Sequence, residues 1–119
     1  MRDFRKIKAW QLADDLAVAV YDVSKSFPRE EIYGITSQLR RAASSVAANI
    51  VEGASRESFK DYAHFLQIAR GSLAEAQYFL HLAKRLSYLD ETQSVQVEVL
   101  AKETFACLHG LILAVRREA

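Results

Sequence analysis

The side chains best suited to chemistry are three histidines, one cysteine and a set of serines, and their spacing matches no familiar catalytic or metal-binding pattern. A di-metal site in a helical bundle needs paired Glu-x-x-His motifs, whereas the nearest form here, Asp61-x-x-His64, occurs once. His81 and His109 form no zinc pattern with each other or with Cys107. No nucleophile motif, glycine-rich phosphate loop or dinucleotide fingerprint occurs. We therefore expect neither an enzyme nor a metal or cofactor site.

Basic side chains are the second group with possible chemistry, because guanidinium and ammonium groups bind phosphates. The candidates for nucleic-acid contact are Arg40, Arg56, Lys60, Arg116 and Arg117. The alternative is an ordinary solvated surface in which acidic neighbours cancel the positive field. With 16 Lys and Arg against 15 Asp and Glu, the net charge is only +1. Phosphate binding would therefore need a local basic patch, or a modest patch repeated in an oligomer.

Within the segment QLRRAASSVAANIVEGASR, residues 38–56, polar side chains recur at nearly the period of an α-helix. The apolar row of this helix consists of Ile35, Leu39, Ala42, Val46 and Ile50. The polar row consists of Gln38, Arg41, Ser45, Asn49 and Glu52. At about 100° per residue, the two rows lie roughly a quarter-turn apart. On a simple surface helix, mixed charges lie opposite the apolar face. Here a regular polar row lies beside the apolar row instead, which predicts that these polar side chains have a specific role.

The elements that must position these groups are four amphipathic helices. Only four Gly and one Pro occur, and no long stretch alternates apolar with polar residues, which argues against a sheet. The predicted helices span residues 7–26, 35–52, 58–87 and 91–116. We expect Pro28 to end the first helix and Gly53 to serve as a left-handed C-terminal cap of the second. Short connections force antiparallel neighbours, so we predict one up-down-up-down four-helix bundle domain over residues 1–119.

The third helix has the strongest periodic signal, a row at alternating steps of three and four that is apolar from Phe59 to Ala83 and ends at Ser87. Ser58 with Asp61, and Asp90 with Gln93, have the spacing of capping boxes. Large and small residues alternate along this helix beside a second apolar row, which favours close helix approach and association with another subunit. A tight monomeric core is the alternative. We expect Gly71 to mark a close helix crossing.

Composition places the chain among ordinary globular proteins. It has 119 residues, of which half are hydrophobic and about a quarter charged. One cysteine permits no intrachain disulfide and fits a reducing compartment. No apolar run is long enough to span a bilayer. We therefore expect a soluble cytoplasmic protein without a membrane partner.

The segments FPREEIYGITSQLRRAASSVAANIVEGASRES and FLQIARGSLAEAQYFL resemble the four-helix bundle proteins encoded in intervening sequences of bacterial 23S rRNA genes. The motifs F-P-x-x-E, S-Q-L-R-R-A, N-I-x-E-G and I-A-x-G-S-L occur in the family's order. The resemblance implies a left-handed bundle that assembles into a homopentameric ring. It also implies likeness to the accessory protein of diversity-generating retroelements, a basic pentameric barrel that binds nucleic acid and a reverse transcriptase. It implies no defined biochemical activity.

The polar row then suggests a hypothesis, a polar network at a subunit seam or ring lumen. Its members are Gln38, Arg41, Asn49 and Glu52, with Arg70 and Glu75 from the third helix. Buried charges must be paired, and a bidentate Arg–carboxylate contact meets that need. Arg41→Ala would then cost about 3–5 kcal/mol if the pair is fully buried. The pattern leaves open whether this row faces a lumen, a seam or the bundle core.

Two functional classes follow from these observations. The first is a non-enzymatic oligomeric binding protein associated with rRNA or another nucleic acid, with the basic candidates repeated around a ring. The second is a structural or adaptor bundle that binds a protein partner and no nucleic acid. Salt dependence separates them, because phosphate contacts release counterions. The resemblance favours the first.

Overall fold

The computed structural model describes residues 2–119, which form four long α-helices and two short 3-10 helices. The 3-10 helices are Phe4–Lys6 and Arg29–Glu31, and the α-helices are α1 Lys8–Ser24, α2 Ile35–Ala54, α3 Phe59–Arg85 and α4 Glu91–Glu118. No strand occurs in this part of the chain, so the predicted all-α class is confirmed. The predicted helices agree with these bounds to within about two residues at each end.

Consecutive helices run antiparallel and form an up-down-up-down bundle. The start of α2 lies beside the end of α1, where Arg40 donates to Ser24. The end of α2 packs on the start of α3, where Gly53 approaches Tyr62. α4 packs on both α3 and α1 and closes the bundle, which measures 44 × 24 × 20 Å. The left-handed twist and the ring assembly stay predictions.

The core is built from the predicted apolar rows. In α3, a fully buried row alternates large and small side chains, namely Leu66, Ala69, Leu73, Ala76, Leu80 and Ala83. In α2, Leu39, Val46 and Ile50 are completely buried. Each buried leucine stabilises the fold by about 1.5–3 kcal/mol relative to an exposed one, so periodic burial defines which face of each helix turns inward.

Side-chain and backbone caps fix the ends of α3 and α4. The Asp90–Gln93 capping box is confirmed, because both reciprocal hydrogen bonds are present. Ser58 Oγ accepts the Asp61 N–H at 3.0 Å. At the end of α3, Tyr88 N–H donates to Ala83 O at 2.9 Å and Ser87 N–H donates to Lys84 O at 3.0 Å. These two bonds form a Schellman motif.

The predicted left-handed cap at Gly53 is wrong. Gly53 lies inside α2, which continues to Ala54, and no glycine in residues 2–119 has a positive φ. A Cβ on Gly53 would lie 3.0 Å from Cδ1 of Tyr62 and 3.1 Å from Cβ of Phe65. Glycine is therefore placed here because α2 and α3 approach closely.

The close helix crossing predicted at Gly71 is also wrong for the single chain. Apart from its chain neighbours and the adjacent helix backbone, no atom lies within 4 Å of a Cβ built on Gly71, and the residue is exposed on the outer side of α3. No other helix within residues 2–119 therefore packs against α3 at Gly71.

Candidate nucleic-acid interface

Basic residues from separate chain segments meet at one end of the bundle. The α2–α3 connection carries Arg56, and the first turn of α3 carries Lys60. The last turn of α4 carries Arg116 and Arg117, and it reaches the same end because α4 runs antiparallel to α3. The N-terminal segment joins them, since Arg2 Nη1 donates to the carbonyl oxygens of residues 54 and 56. We call the set Arg2, Arg5, Lys6, Lys8, Arg56, Lys60, Arg116 and Arg117 the basic end.

Three guanidinium groups of the basic end lie against aromatic rings, and that of Arg5 is 5.4 Å from the Phe4 ring centroid. Arg2 lies 4.4 Å from the ring centroid of Tyr62 and 4.9 Å from that of Phe59. Its Nη1 atom donates to Arg56 O at 2.7 Å and to Ala54 O, in the last residue of α2, at 3.4 Å. Arg2 therefore interacts with the carbonyl end of α2, where the helix dipole favours a cation. Arg56 lies 4.6 Å from the Phe65 centroid. Arg2 and Arg56 line a groove of about 500 Å³.

The charges within this groove are mixed. Arg56 Nη2 donates to Glu52 Oε1 at 2.8 Å, and Glu57 joins Arg56 in the groove wall. The two paired side chains are 42% and 49% exposed, so solvent screens the ion pair and it contributes little stability. Arg56 can therefore exchange this carboxylate for a phosphate at small cost. Lys60, Arg116 and Arg117 are exposed.

Arg40 lies elsewhere, about 20 Å along α2 from Ala54. Its Nε atom donates to Ser24 Oγ at 2.8 Å and its Nη2 atom donates to Tyr21 O at 3.4 Å. The guanidinium also lies 4.7 Å from the Tyr21 ring centroid. The structure therefore places Arg40 at the α1–α2 contact and does not bring it together with the basic end. Its contact with phosphate stays a prediction.

The polar row of α2 divides into separate contacts within the single chain. Asn49 Nδ2 donates to Ser45 Oγ at 2.9 Å, and Ser45 Oγ shares a hydrogen bond of 2.9 Å with Ser72 Oγ. This chain of bonds joins α2 to α3 and is half-buried. The sequence placed Ser45 and Asn49 in the row but assigned no role to Ser72. Its position opposite Ser45 becomes visible only once the antiparallel register is known.

The other predicted members of the network do not connect within one chain. Gln38, Arg41, Glu52 and Glu75 are exposed, Glu52 pairs with Arg56, and Arg70 donates to Gln67. Within the described residues Arg41 makes no side-chain hydrogen bond or ion pair, so the large cost predicted for a buried Arg41 does not apply to a single copy. A network completed at a subunit seam stays a prediction.

Burial and hydrogen bonding perturb two tyrosines. Desolvation raises the pKa of Tyr62, while the positive charge of Arg2 lowers it by a smaller amount. At the other end of the bundle, the hydrogen bond from Tyr88 Oη to Glu31 Oε2 at 2.8 Å raises the pKa of Tyr88. Across residues 2–119, no three His, Cys, Asp or Glu side chains cluster closely enough to hold a metal ion. None of the helices in that range is both long and apolar enough to cross a membrane.

Known proteins resemble this chain in sequence and in fold. A model of the 23S rRNA-intervening sequence protein family matches residues 5–110, which is most of the chain. The chain belongs to this family. Its fold is similar to the crystal structure of a protein of unknown function from the S23 ribosomal protein family of Bacteroides thetaiotaomicron. The TM-score is 0.80 at 25% identity, over 87% of this chain and 94% of that one. A search of curated proteins finds no match.

Membership of the 23S rRNA-intervening sequence protein family confirms the resemblance seen in the sequence motifs. The four-helix, all-α architecture is likewise shared with the S23 family structure. That structure belongs to a protein whose own function is unknown. The family therefore identifies the fold, and the function has to be inferred from the residues of the site.

Proposed function

We propose that the protein is a non-enzymatic cytoplasmic binding protein that holds structured RNA against its basic end. The observation that carries this proposal is the meeting of basic residues from the N-terminal segment, the α2–α3 connection and the end of α4. Phosphate contacts are made by side chains such as exposed arginine and lysine, and they need no base-specific geometry. The family name, which refers to 23S rRNA, agrees with RNA as the nucleic acid.

Repetition in an oligomer makes this modest patch effective. Acidic side chains at the same end, Asp3, Glu52, Glu57, Asp61 and Glu118, reduce the field of a single copy. A ring of copies would present several such patches to one RNA, and linked sites raise the overall affinity without new contacts. We propose a homo-oligomeric ring, of five subunits as the family resemblance implies.

α4 offers a surface for this self-association. Val95, Val99 and Leu113 are 47%, 49% and 43% exposed, and together with Ala106 and Gly110 they lie on one outward side of the helix. We call these five residues the outer stripe of α4. The opposite side of α4 is buried in the core, for instance at Leu108. Lys102 interrupts the outer stripe between Val99 and Ala106, and the five residues of the stripe are apolar or glycine. A helix with apolar residues on both sides is typical of one that packs on both sides, so the outer stripe supports contact with another subunit.

The test of RNA binding is a fluorescence anisotropy titration with a labelled structured fragment of 23S rRNA at low and moderate salt. We expect the triple variant Lys60→Gln/Arg116→Gln/Arg117→Gln to bind at least about tenfold more weakly. The slope of log affinity against log salt should become shallower by about 1 for each phosphate that the variant no longer neutralises. These side chains are exposed, so the fold should not change.

A control removes two positive charges from the opposite end. Lys84→Gln/Arg85→Gln changes exposed basic residues in the last turn of α3 and should leave RNA affinity unchanged. An equal reduction of log affinity per charge removed would show that net charge alone matters. Absence of binding at low salt by the intact oligomer would refute RNA association. The remaining function would then be that of an adaptor for a protein partner.

A further inference from the structure

A second concave surface lies between the end of α1 and the start of α2. Two adjoining grooves of about 410 and 350 Å³ share Ile32, Thr36 and Arg40. We call them together the α1–α2 groove, and the lining residues that matter here are Tyr21, Lys25, Ile32, Thr36, Arg40 and Arg41. This groove is about 20 Å along α2 from the basic end, so it is a separate site.

The charge of the α1–α2 groove has one sign. Lys25, Arg29, Arg40 and Arg41 line it, and no acidic residue of the described chain does. Of the acidic side chains nearby, Asp22 pairs with Lys25 at 3.5 Å, while Glu31 accepts a hydrogen bond from Tyr88. A concave surface whose charged lining residues are all cations, in a chain whose net charge is +1, is suited to an anionic ligand.

Arg40 and Arg41 differ in how strongly their side chains are held in place. Arg40 is held in place by its hydrogen bond to Ser24 and by the Tyr21 ring, so little side-chain freedom remains to be lost on binding. Arg41 is exposed and makes no side-chain hydrogen bond or ion pair within residues 2–119. Two guanidinium groups that line one groove, one fixed and one adaptable, are suited to planar carboxylates or to phosphates.

Thr36 provides an independent sign of a missing ligand. The residue is only 6% exposed and lines both parts of the groove, yet its Oγ1 atom has no hydrogen-bond partner in the described part of the chain. The Oγ1 atom is shielded from solvent in this rotamer, and rotation about χ1 would turn it toward the groove. An unsatisfied buried hydroxyl destabilises the fold, and a bound acceptor would recover that free energy.

Apolar exposure distinguishes between anionic ligands. Tyr21 and Ile32 are 47% and 52% exposed where they line the groove, and Val18 beside them is 65% exposed. A hydrated phosphate backbone would leave the aliphatic surface uncovered, whereas a peptide can bury an apolar side chain there. We propose that the α1–α2 groove binds an acidic peptide segment of a partner protein. Its carboxylate pairs with Arg40 and Arg41, Thr36 donates to it, and an adjacent apolar side chain covers Tyr21 and Ile32.

The experiment is a titration of the full, isotope-labelled chain, followed by TROSY NMR, which tolerates an assembled ring. The probe is the peptide acetyl-Glu-Leu-Asp-Leu-Glu-amide, and its neutral counterpart is acetyl-Gln-Leu-Asn-Leu-Gln-amide. We expect saturable shifts of the backbone amides of Thr36, Ser37, Arg41 and Ser44 with the acidic peptide. The neutral peptide should bind at least about tenfold more weakly, since each carboxylate–arginine contact contributes more than a neutral hydrogen bond.

Two variants test the residues without disturbing the fold. Arg41→Gln removes an exposed charge and should weaken binding of the acidic peptide. Thr36→Val keeps the shape and removes the unsatisfied hydroxyl, so it should weaken peptide binding while leaving the melting temperature equal or higher. Arg85→Gln, at the end of α3, is the matched control and should bind the peptide normally.

Several results would overturn the peptide site. These are no saturable shift, equal shifts with the neutral peptide, or tighter saturation of the same amides by an oligonucleotide. Shifts that grow with protein concentration alone, and that Arg41→Gln abolishes, would show instead that a second copy fills the groove. The triple variant of the basic end should bind the peptide normally, so failure of RNA binding and failure of peptide binding are separately visible.

Discussion

Ser87 adopts a left-handed backbone, with φ 62°, and it is the only non-glycine residue in residues 2–119 with a positive φ. This conformation lets the chain turn out of α3 and complete the Schellman motif. It costs an L-residue with a Cβ about 1–2 kcal/mol, whereas glycine adopts it freely. We expect Ser87→Gly to raise the free energy of unfolding by about 1 kcal/mol, measured by urea denaturation.

The control for Ser87 is the serine that follows α2. Ser55 has φ −82° and ψ −11°, in the right-handed region, where glycine gains nothing sterically and adds freedom to the unfolded chain. Ser55→Gly should therefore lower stability by about 0.5–1 kcal/mol. If both substitutions change stability in the same direction, the left-handed strain at Ser87 is not the cause.

Tyrosine ionisation should make the fold sensitive to alkaline pH. The hydrogen bond to Glu31 raises the pKa of Tyr88, and burial raises the pKa of Tyr62, both from an ordinary value of 10.0. Because each folded pKa lies above the unfolded value, the associated stability is fully present below about pH 10 and falls as pH rises through the folded pKa. Urea denaturation at a series of alkaline pH values measures this decline.

Single substitutions separate the two tyrosines. Tyr88→Phe should remove one contribution to the alkaline decline, and tyrosinate absorbance should then show one fewer late-titrating group. Arg2→Met removes the charge that lowers the pKa of Tyr62 and keeps a long side chain over its ring, so this group should titrate at a still higher pH. Unchanged titration of Tyr62 in Arg2→Met would show that the charge of Arg2 does not act on the phenol.

At the scale of the helices, adding a Cβ to a helical glycine should have opposite effects on stability at different positions. A Cβ at Gly53 would meet Tyr62 O and Phe65 Cβ at 3.1 Å each, atoms that cannot rotate away. We expect Gly53→Ala to destabilise the protein by about 1–2 kcal/mol, because overpacking outweighs the gain in helix propensity. Thermal denaturation followed by circular dichroism measures the change.

Gly71 and Gly110 serve as matched controls for Gly53. Each lies within a helix, and a Cβ at either position would meet no atom within 4 Å beyond its chain neighbours and the adjacent helix backbone. Their alanine variants should therefore be more stable by up to about 1 kcal/mol in the single chain. Stabilisation by Gly53→Ala of the same size would show that α2 and α3 can separate without penalty. Destabilisation by Gly110→Ala would point to a subunit contact at the outer stripe of α4.

At the scale of the whole molecule, the outer stripe of α4 predicts self-association. Val99→Glu/Leu113→Glu puts charges into the exposed apolar row and should shift the mass measured by analytical ultracentrifugation toward that of the monomer. The monomer should remain folded, because both side chains lie outside the core. Gln96→Glu adds one negative charge on α4 outside the stripe and should leave the mass unchanged, whereas either single variant of the stripe should lower it. A monomeric wild type would refute the ring.

The sequence predicted the helices well because burial itself is periodic. The row from Tyr62 to Ala83 is buried as the spacing required, and capping at Asp90 follows directly from local chemistry. Gly53 was assigned the wrong role because a terminal glycine and a close-approach glycine look alike until the neighbouring helix is placed. Side-chain partners were harder still. The sequence placed Glu52 in the polar row, where it had several possible partners. The structure shows that it pairs with Arg56.

Both ends of the described chain emerge at the basic end, since Arg2 contacts the carbonyl oxygen of Arg56 and α4 finishes at Glu118. A purification tag or fluorescent fusion at either terminus would therefore crowd the surface proposed to bind RNA. Circular permutation offers a remedy, because a short linker could join the two termini and new ones could open between α3 and α4. Such a permutant would display its fusion at the far end of the bundle and leave the basic end uncovered.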